Sequence, residues 1–284
     1  MTYFWPALCA IGIWWLGTLL LLWRLRLSSA HTGTTLVWVW MILLLGVVLI
    51  GGSLNAATPL GACMAFGGAV AVWCWHETVY LLGLLTGPRP APCPPGVDNS
   101  QRFRFGVLAS LYHELAVLLT AVLIWWWAWD AANLVGAKAF TILWLLRWST
   151  KVNIFFGVAN LHTEFWPDRL RYLESYVGDK PSVGAMAGSF ALIVLLSIWA
   201  LTPYGHATGV YSEAYAASAS ALLLTLVLLG GLEHLLLGLR VKDEWLWSLA
   251  GQNPPSQAPL SVRASLVRHG RLPDINEHKP QNRQ

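Results

Sequence analysis

Leu60-Gly-Ala-Cys-Met-Ala-Phe-Gly-Gly-Ala-Val-Ala-Val-Trp-Cys-Trp-His-Glu-Thr-Val-Tyr-Leu-Leu-Gly-Leu-Leu85 is an apolar run of 26 residues broken by one ionisable pair, His76-Glu77. As an α-helix at about 1.5 Å per residue it is roughly 39 Å long, more than the ~30 Å hydrocarbon core of a bilayer. A run of that length with one carboxylate reads as a membrane-spanning helix. Six further apolar segments follow the same pattern, at Tyr3–Trp23, Thr35–Gly51, Phe105–Trp129, Leu134–Phe155, Val183–Leu201 and Tyr215–Leu239. The predicted fold class is all-α: a polytopic membrane protein of about seven transmembrane helices.

Composition agrees. Of 284 residues 56% are hydrophobic and 11% are charged, against roughly 25% charged in soluble domains. A disordered chain is excluded, and too little charged surface remains for a soluble globular domain. Seven spans use about half the chain. The remainder suffices for loops and a tail, so the expected division is a transmembrane domain over residues 1–241 and a polar cytoplasmic tail over 242–284. That tail carries Pro254, Pro255, Pro259 and Pro273, and its far end is expected to be disordered. Thr86–Arg104, rich in Pro and Gly, reads as a loop. No Lys or Arg precedes the first apolar run, so that run is expected to be a retained helix, not a signal peptide. Cys9, Cys63, Cys74 and Cys93 form no C-x-x-C pair and read as small hydrophobes.

Basic residues in short loops stay cytoplasmic during insertion. With seven spans, one side receives the connections after the first, third and fifth segments and the C-terminal tail. Seventeen of the 18 Lys and Arg fall there, and Lys138 alone lies on the other side. The N-terminus is therefore expected outside and the C-terminus in the cytoplasm.

Ionisable residues inside apolar helices are costly and turn toward a bundle interior or a cavity. Three adjacent pairs do this: His76-Glu77, His113-Glu114 and Glu233-His234. Their histidines lie about 8–13 Å from the cytoplasmic ends of their segments, a depth that suggests convergence on one site. Arg147, Lys151 and Asn153 sit at the inner end of the fifth segment, with Arg147 placed to neutralise a buried carboxylate. The following loop adds His162 and Glu164, which also read as solvated or capping residues. Hydrogen bonding between helices, ligation of a tetrapyrrole metal by one His, a metal site and a proton path all remain open readings of the pairs. Adjacent Glu and His point about 100° apart around a helix, unlike the Glu-x-x-His of di-iron bundles. A retinal protein is excluded, because the seventh segment has no Lys for a Schiff base. Pro167-Asp-Arg-Leu-Arg-Tyr-Leu-Glu-Ser-Tyr176 predicts a short amphipathic helix, with Leu170, Leu173 and Tyr176 on one face. It lies either on the cytoplasmic membrane surface or packed as a connector on the loops.

Three landmarks stand out. They are Trp75-His76-Glu77 with Leu82-Gly83, Thr86-Gly87-Pro88-Arg89 and Cys93-Pro94; Tyr112-His113-Glu114-Leu115; and Arg147-Trp148-Ser149, Lys151, Asn153, Gly157-Val158, Asn160, Glu164-Phe165, Pro167, Leu170 and Tyr172-Leu173. Together they resemble the PuhE family of photosynthetic complex assembly proteins of purple phototrophic bacteria. The resemblance implies a multi-pass protein of the bacterial inner (cytoplasmic or intracytoplasmic) membrane. It would support assembly of the reaction centre and its light-harvesting complex and influence bacteriochlorophyll supply. It carries over no reaction and no catalytic residue. The implied partners are the lipid bilayer and the reaction-centre and light-harvesting subunits, with no nucleic acid. The residues expected to meet bacteriochlorophyll or a precursor are His76, Glu77, His113, Glu114, His234, Trp75, Tyr112, Arg147 and Asn153. An imidazole can ligate magnesium while Trp and Tyr faces pack on the macrocycle. A membrane metalloenzyme acting on a porphyrin or isoprenoid, or a non-catalytic subunit of the photosynthetic complex, are the alternatives. Of the 18 Trp, thirteen sort to the two interfacial belts, Trp148 and Trp166 among them. Trp73 and Trp75 lie at depth beside His76 and are expected to line a pocket.

Overall fold

A computed structural model describes residues 3–27, 32–161, 163, 166–202 and 212–239. The predicted tail, His162 and Glu164 lie outside the described residues. Among those described there are seven α-helices and no strand: α1 (Phe4–Leu27), α2 (Thr32–Ser53), α3 (Pro59–Leu81), α4 (Asn99–Trp127), α5 (Val135–Phe156), α6 (Val183–Ala200) and α7 (Glu213–Gly238). Four are long and apolar enough to cross a membrane: α2, from Gly33, with α4, α6 and α7.

The other helices fall below that measure for a physical reason in two cases. α3 is rich in Gly, Ala and Trp and holds His76-Glu77, and α5 holds Lys138, Arg147, Lys151 and Asn153. These are the inner helices. Thirteen of 23 residues in α3 and twelve of 22 in α5 are buried, against three of 18 in α6. A helix surrounded by protein can carry polar side chains that a lipid-facing helix cannot. α6 and α4 instead turn outward leucines and valines such as Leu119, Val122, Val194 and Leu195.

Local chemistry sets the helix starts. Thr58 accepts from Gly61 N and is followed by Pro59, and Ser182 and Ser212 cap α6 and α7 in the same way. α4 begins at Asn99, six residues before the expected Phe105, because Asp98 and Gln101 form a capping box. The loop is correspondingly shorter than Thr86–Arg104. At 29 residues α4 is about 43 Å long and exceeds a bilayer core by about 13 Å.

α2 and α3 pack through glycines. A Cβ on Gly46 would stand 2.8 Å from Gly68 O, and one on Gly68 would stand 2.9 Å from Gly46 O. Such backbone approach is how helices associate where lipid removes the hydrophobic drive. At the end of the bundle away from the Thr86 loop, buried Asn133 donates to Ser53 O (3.1 Å), and its Oδ1 accepts from Val135 N and from Tyr215 Oη, both at 3.1 Å. One side chain thus joins the end of α2 to the starts of α5 and α7. Lys138 Nζ reaches Trp199 O, Thr202 O and Thr202 Oγ1 at 2.8–3.2 Å and caps the C-terminus of α6.

The segment after α5 is a 3-10 helix, Asp168–Tyr176, preceded by Pro167. With three residues per turn, Leu170, Leu173 and Tyr176 superpose on one face, and Leu170 and Tyr176 are buried. The segment packs on α4, in agreement with the connector reading rather than one lying free on the membrane surface. Among the described residues, Cys9, Cys63, Cys74 and Cys93 form no disulfide.

Candidate functional site

Three helices bring their polar residues together. On α5, Arg147 and Lys151 are four residues apart and share a face. Arg147 Nη2 meets Glu77 Oε2 of α3 at 3.0 Å, and Lys151 Nζ pairs with Glu114 Oε1 of α4. Glu114 also accepts from Trp144 Nε1 at 3.4 Å. Lys151 lies 4.8 Å above the Tyr80 ring, and the Tyr80 ring lies 4.5 Å from that of His113. The His76 and His113 rings are 6.2 Å apart, and His76 Nε2 is 3.0 Å from Thr120 Oγ1. Each adjacent pair splits as its 100° offset requires: the Glu reaches a cation of α5, and the His turns to the α3–α4 contact.

Beside these pairs is a cavity of about 210 Å³, bounded by α4, α5, the end of α3 and the 3-10 helix. Arg147, Lys151, Glu114 and Ser110 supply its polar wall, and aromatic rings, Trp148 and Trp166 among them, supply much of the rest. The cations face it more than the acids do. The side chains of Arg147 and Lys151 are 32% and 25% exposed, those of Glu77 and Glu114 10% and 11%.

The Thr86 loop seals this end. The His113 N–H donates out of its helix to Thr86 O at 2.9 Å, and Tyr172 Oη donates to Ala109 O at 3.4 Å. Gly87 makes the approach possible, because a Cβ there would strike the backbone of α4 at Leu108, Ala109 and Leu111. Arg89 donates to Tyr176 Oη at 2.6 Å, Tyr176 donates to Ala91 O at 2.9 Å, and Cys93 N donates to Ser175 Oγ at 2.8 Å. Burial pushes the Tyr176 phenol above its ordinary range, with Arg89 opposing part of the rise, and burial also raises Tyr172. Both stay neutral hydrogen-bonding phenols at ordinary pH.

The chain matches the family described as "Protein of unknown function (DUF3623)" over residues 1–258. The chain belongs to this family. A Rhodobacter capsulatus protein described as an uncharacterized 30.4 kDa protein in the puhA 5′ region is 31% identical over 269 residues, covering 88% of this chain and 92% of that protein. No solved structure matches.

In this DUF3623 protein the residues predicted for one site separate into two clusters and two outliers. His76, Glu77, His113, Glu114 and Arg147 belong to the first cluster, described above. His234 and Asn153 belong to a second, between α5, α6 and α7, whereas Glu233 of the same pair lies 3.5 Å from Thr150 Oγ1 and acts on Arg147 of the first cluster; the expected convergence of three pairs is therefore corrected for the His234 imidazole and not for the Glu233 carboxylate. His234 Nδ1 lies 2.7 Å from Gly230 O and its Nε2 3.0 Å from Ser149 Oγ. Ser149 donates to Ser189 Oγ at 2.7 Å, and Asn153 donates to both serines' oxygens. Tyr112 is 52% exposed on the outward side of α4, away from both clusters. Trp75 packs edge-on against His76 at 4.8 Å and against Trp40 at 5.3 Å, outside the cavity, and Trp73 packs against Phe140 at 5.7 Å. Both serve helix packing; the tryptophans that line the cavity are Trp148 and Trp166, assigned from sequence to the interfacial belt. Tyr80, Thr120 and Ser189 were missed, because single hydroxyls on apolar helices carry no motif; Ser149 was named only as part of the third landmark. Among the described residues, no group of three or more His, Cys, Asp and Glu is arranged to hold a metal ion.

Proposed function

We propose that this protein is a seven-span inner-membrane factor, N-terminus outside and C-terminus cytoplasmic, that supports assembly of the bacterial photosynthetic reaction centre and light-harvesting complex. The observation that carries the assembly reading is the Rhodobacter capsulatus relative, encoded in the puhA 5′ region, a photosynthesis gene region, and aligned over nearly all of both chains. The membrane reading rests on the four long apolar helices, on the central placement of α3 and α5, and on the 17 basic residues that seven spans would put on one side.

Handling of bacteriochlorophyll or a precursor is part of this proposal. Nδ1 of His76 and of His113 is buried without a hydrogen-bond partner, but the two rings pack against Phe140, Tyr80 and each other, and neither lines the cavity. Both ring nitrogens of His234 have partners. The cavity, at about 210 Å³, is below the ~300–1,000 Å³ of sites that enclose a drug-sized ligand. We place any pigment contact at the lipid-facing surface or on nascent pigment-binding subunits.

The test is purification of the tagged full chain from a pigment-producing host in mild detergent. Reaction-centre or light-harvesting subunits should accompany it, with chlorin absorbance. If neither accompanies it and deletion leaves photosystem levels normal, the assembly reading fails. A reporter fused to the C-terminus and active only on the external face would overturn the orientation.

A further inference from the structure

We propose that the cavity between α4, α5 and the 3-10 helix is a binding site for the head of an anionic amphiphile, a single phosphate or carboxylate on a hydrocarbon chain. Three observations carry it. First, cations predominate among the charged groups at the cavity wall. Arg147 and Lys151 line it together with one carboxylate, Glu114, whereas Glu77 and Glu233, which also act on Arg147, lie outside the lining. The wall a guest meets therefore carries two cations and one acid, a field biased toward an anion. Low-dielectric walls strengthen that field.

Second, the chain does not saturate these donors. Arg147 Nε and Trp148 Nε1, on two residues that line the cavity, are buried with no hydrogen-bond partner. Buried donors without partners are uncommon in folded proteins and call for an explanation. A small adjustment of either side chain would hand the donor to a headgroup oxygen.

Third, size and place match. About 210 Å³ equals roughly seven water volumes at ~30 Å³ each, room for a phosphate or carboxylate and the first few carbons. The walls beyond the charges are apolar, with Phe103, Val107, Ile154 and Phe155 among them, as a chain leaving the headgroup requires. The cavity lies along the N-terminal half of α4, the helix that exceeds the bilayer core. Its placement at the inner headgroup layer rests on the seven-span reading; the donor geometry does not.

Native mass spectrometry of the full chain, delipidated in uncharged detergent, tests the site. The probes are dioleoylphosphatidylglycerol and oleate, with dioleoylphosphatidylcholine as the zwitterionic control. One equivalent of an anionic probe should be retained in preference to the control. Retention of the glycerophospholipid alone, or of oleate alone, identifies the natural source as membrane lipid or fatty acid, and either outcome supports the site. Lys151→Gln with Glu114→Gln removes one ion pair whole and should weaken anionic binding about tenfold or more. Gly106→Val fills the cavity without touching a charge; its Cβ meets only Tyr176 Cδ1 and Cγ, at 3.5 and 3.9 Å. It should abolish retention in a protein that still folds. Equal retention of the zwitterionic lipid, no saturable binding, or unchanged retention in both variants overturns the proposal. Binding that persists when a C-terminal reporter proves external leaves the site standing and removes only its assignment to the inner leaflet.

Discussion

Lys151 and Glu114 offer the sharpest energetic test of the bundle, because both side chains are largely buried and each is the other's main partner. Lys151→Gln leaves the Glu114 carboxylate with Trp144 Nε1 at 3.4 Å and little water, since its side chain is 11% exposed. Removing one member of a buried ion pair costs about 3–5 kcal/mol. The 25% exposure of Lys151 lets some water reach the vacated space, which argues for the lower end, about 3 kcal/mol, or roughly a hundredfold in the folding equilibrium. Glu114→Gln should cost a similar amount by stranding the ammonium over Tyr80. The double variant strands neither charge, so it should be less destabilised than either single change, with a coupling of at least ~2 kcal/mol. Unfolding in mixed micelles, titrated with dodecyl sulfate and followed by tryptophan fluorescence, measures all three. Asp168–Arg171 supplies the control: its side chains are 89% and 43% exposed, and an exposed pair of that kind should couple by less than ~0.5 kcal/mol. If Lys151 and Glu114 also combine additively within ~0.5 kcal/mol, the pair is not buried as described and the reasoning fails.

Gly46→Val should prevent α2 from seating on α3, because its side chain has Gly68 O and Val72 Cγ2 at 2.8 Å to displace; loss of folded protein in detergent gel filtration measures this, and a normal elution profile would contradict it. Gly87→Ala should lift the Thr86 loop from α4, and faster amide exchange at His113, whose N–H donates to Thr86 O, is the expected signature. Asp98→Ala deletes the cap that starts α4 and should cost about 1 kcal/mol in the same unfolding assay, with Asp98→Asn largely restoring it. Lys138→Met removes the ammonium that holds the last carbonyls of α6 and should destabilise by about 2–3 kcal/mol, the loss of hydrogen bonds from a charged donor.

The helices themselves were plain in the sequence, since apolar length is a local property, and six of the seven start within three residues of expectation. α4 was the exception. Its Asp98-Asn-Ser-Gln101 start is a recognisable capping box, but it lies in a Pro- and Gly-rich stretch next to Arg102 and Arg104 and reads as loop. The candidate site was legible in its charges and not in its geometry. Adjacent His and Glu on one helix cannot share a target, so Glu77 and Glu114 were placed correctly near the cations of α5 only in the sense that burial demanded a partner. Which cation each takes depends on helix rotation. The rotation of α3 is fixed in part by the Gly46–Gly68 contact with α2, far in sequence from either charge. His234 shows the converse. Its depth matched that of the other histidines, and α7 packs against α1, α3, α5 and α6, but the rotation of α7 turns this ring to Ser149 of α5, which meets Ser189 of α6. Depth along a helix is readable from sequence, whereas azimuth around the bundle is set by packing.

Lys138 sharpens the sidedness inference by showing why it is the exception. A basic residue on the outer side would weaken a charge tally if it lay free in a loop, because the tally concerns loops held back during insertion. Lys138 instead lies in the first turn of α5, 2% exposed, with Nζ bonded to the end of α6 and 5.3 Å from the Trp199 ring. At the C-terminus of α6, Trp199 O already accepts from Thr202 N and Oγ1, and Lys138 adds a charged donor to it and to Thr202 O. Its charge is thus accounted for by a structural demand at that end of the bundle. At the opposite end, Arg147 and Lys151 are equally helical, yet they face a cavity and carry exposed surface that Lys138 lacks. One cation is enclosed as a cap and two line a cavity, and it is on this asymmetry that ligand binding is proposed at the Arg147–Lys151 end and a stabilising role at the Lys138 end.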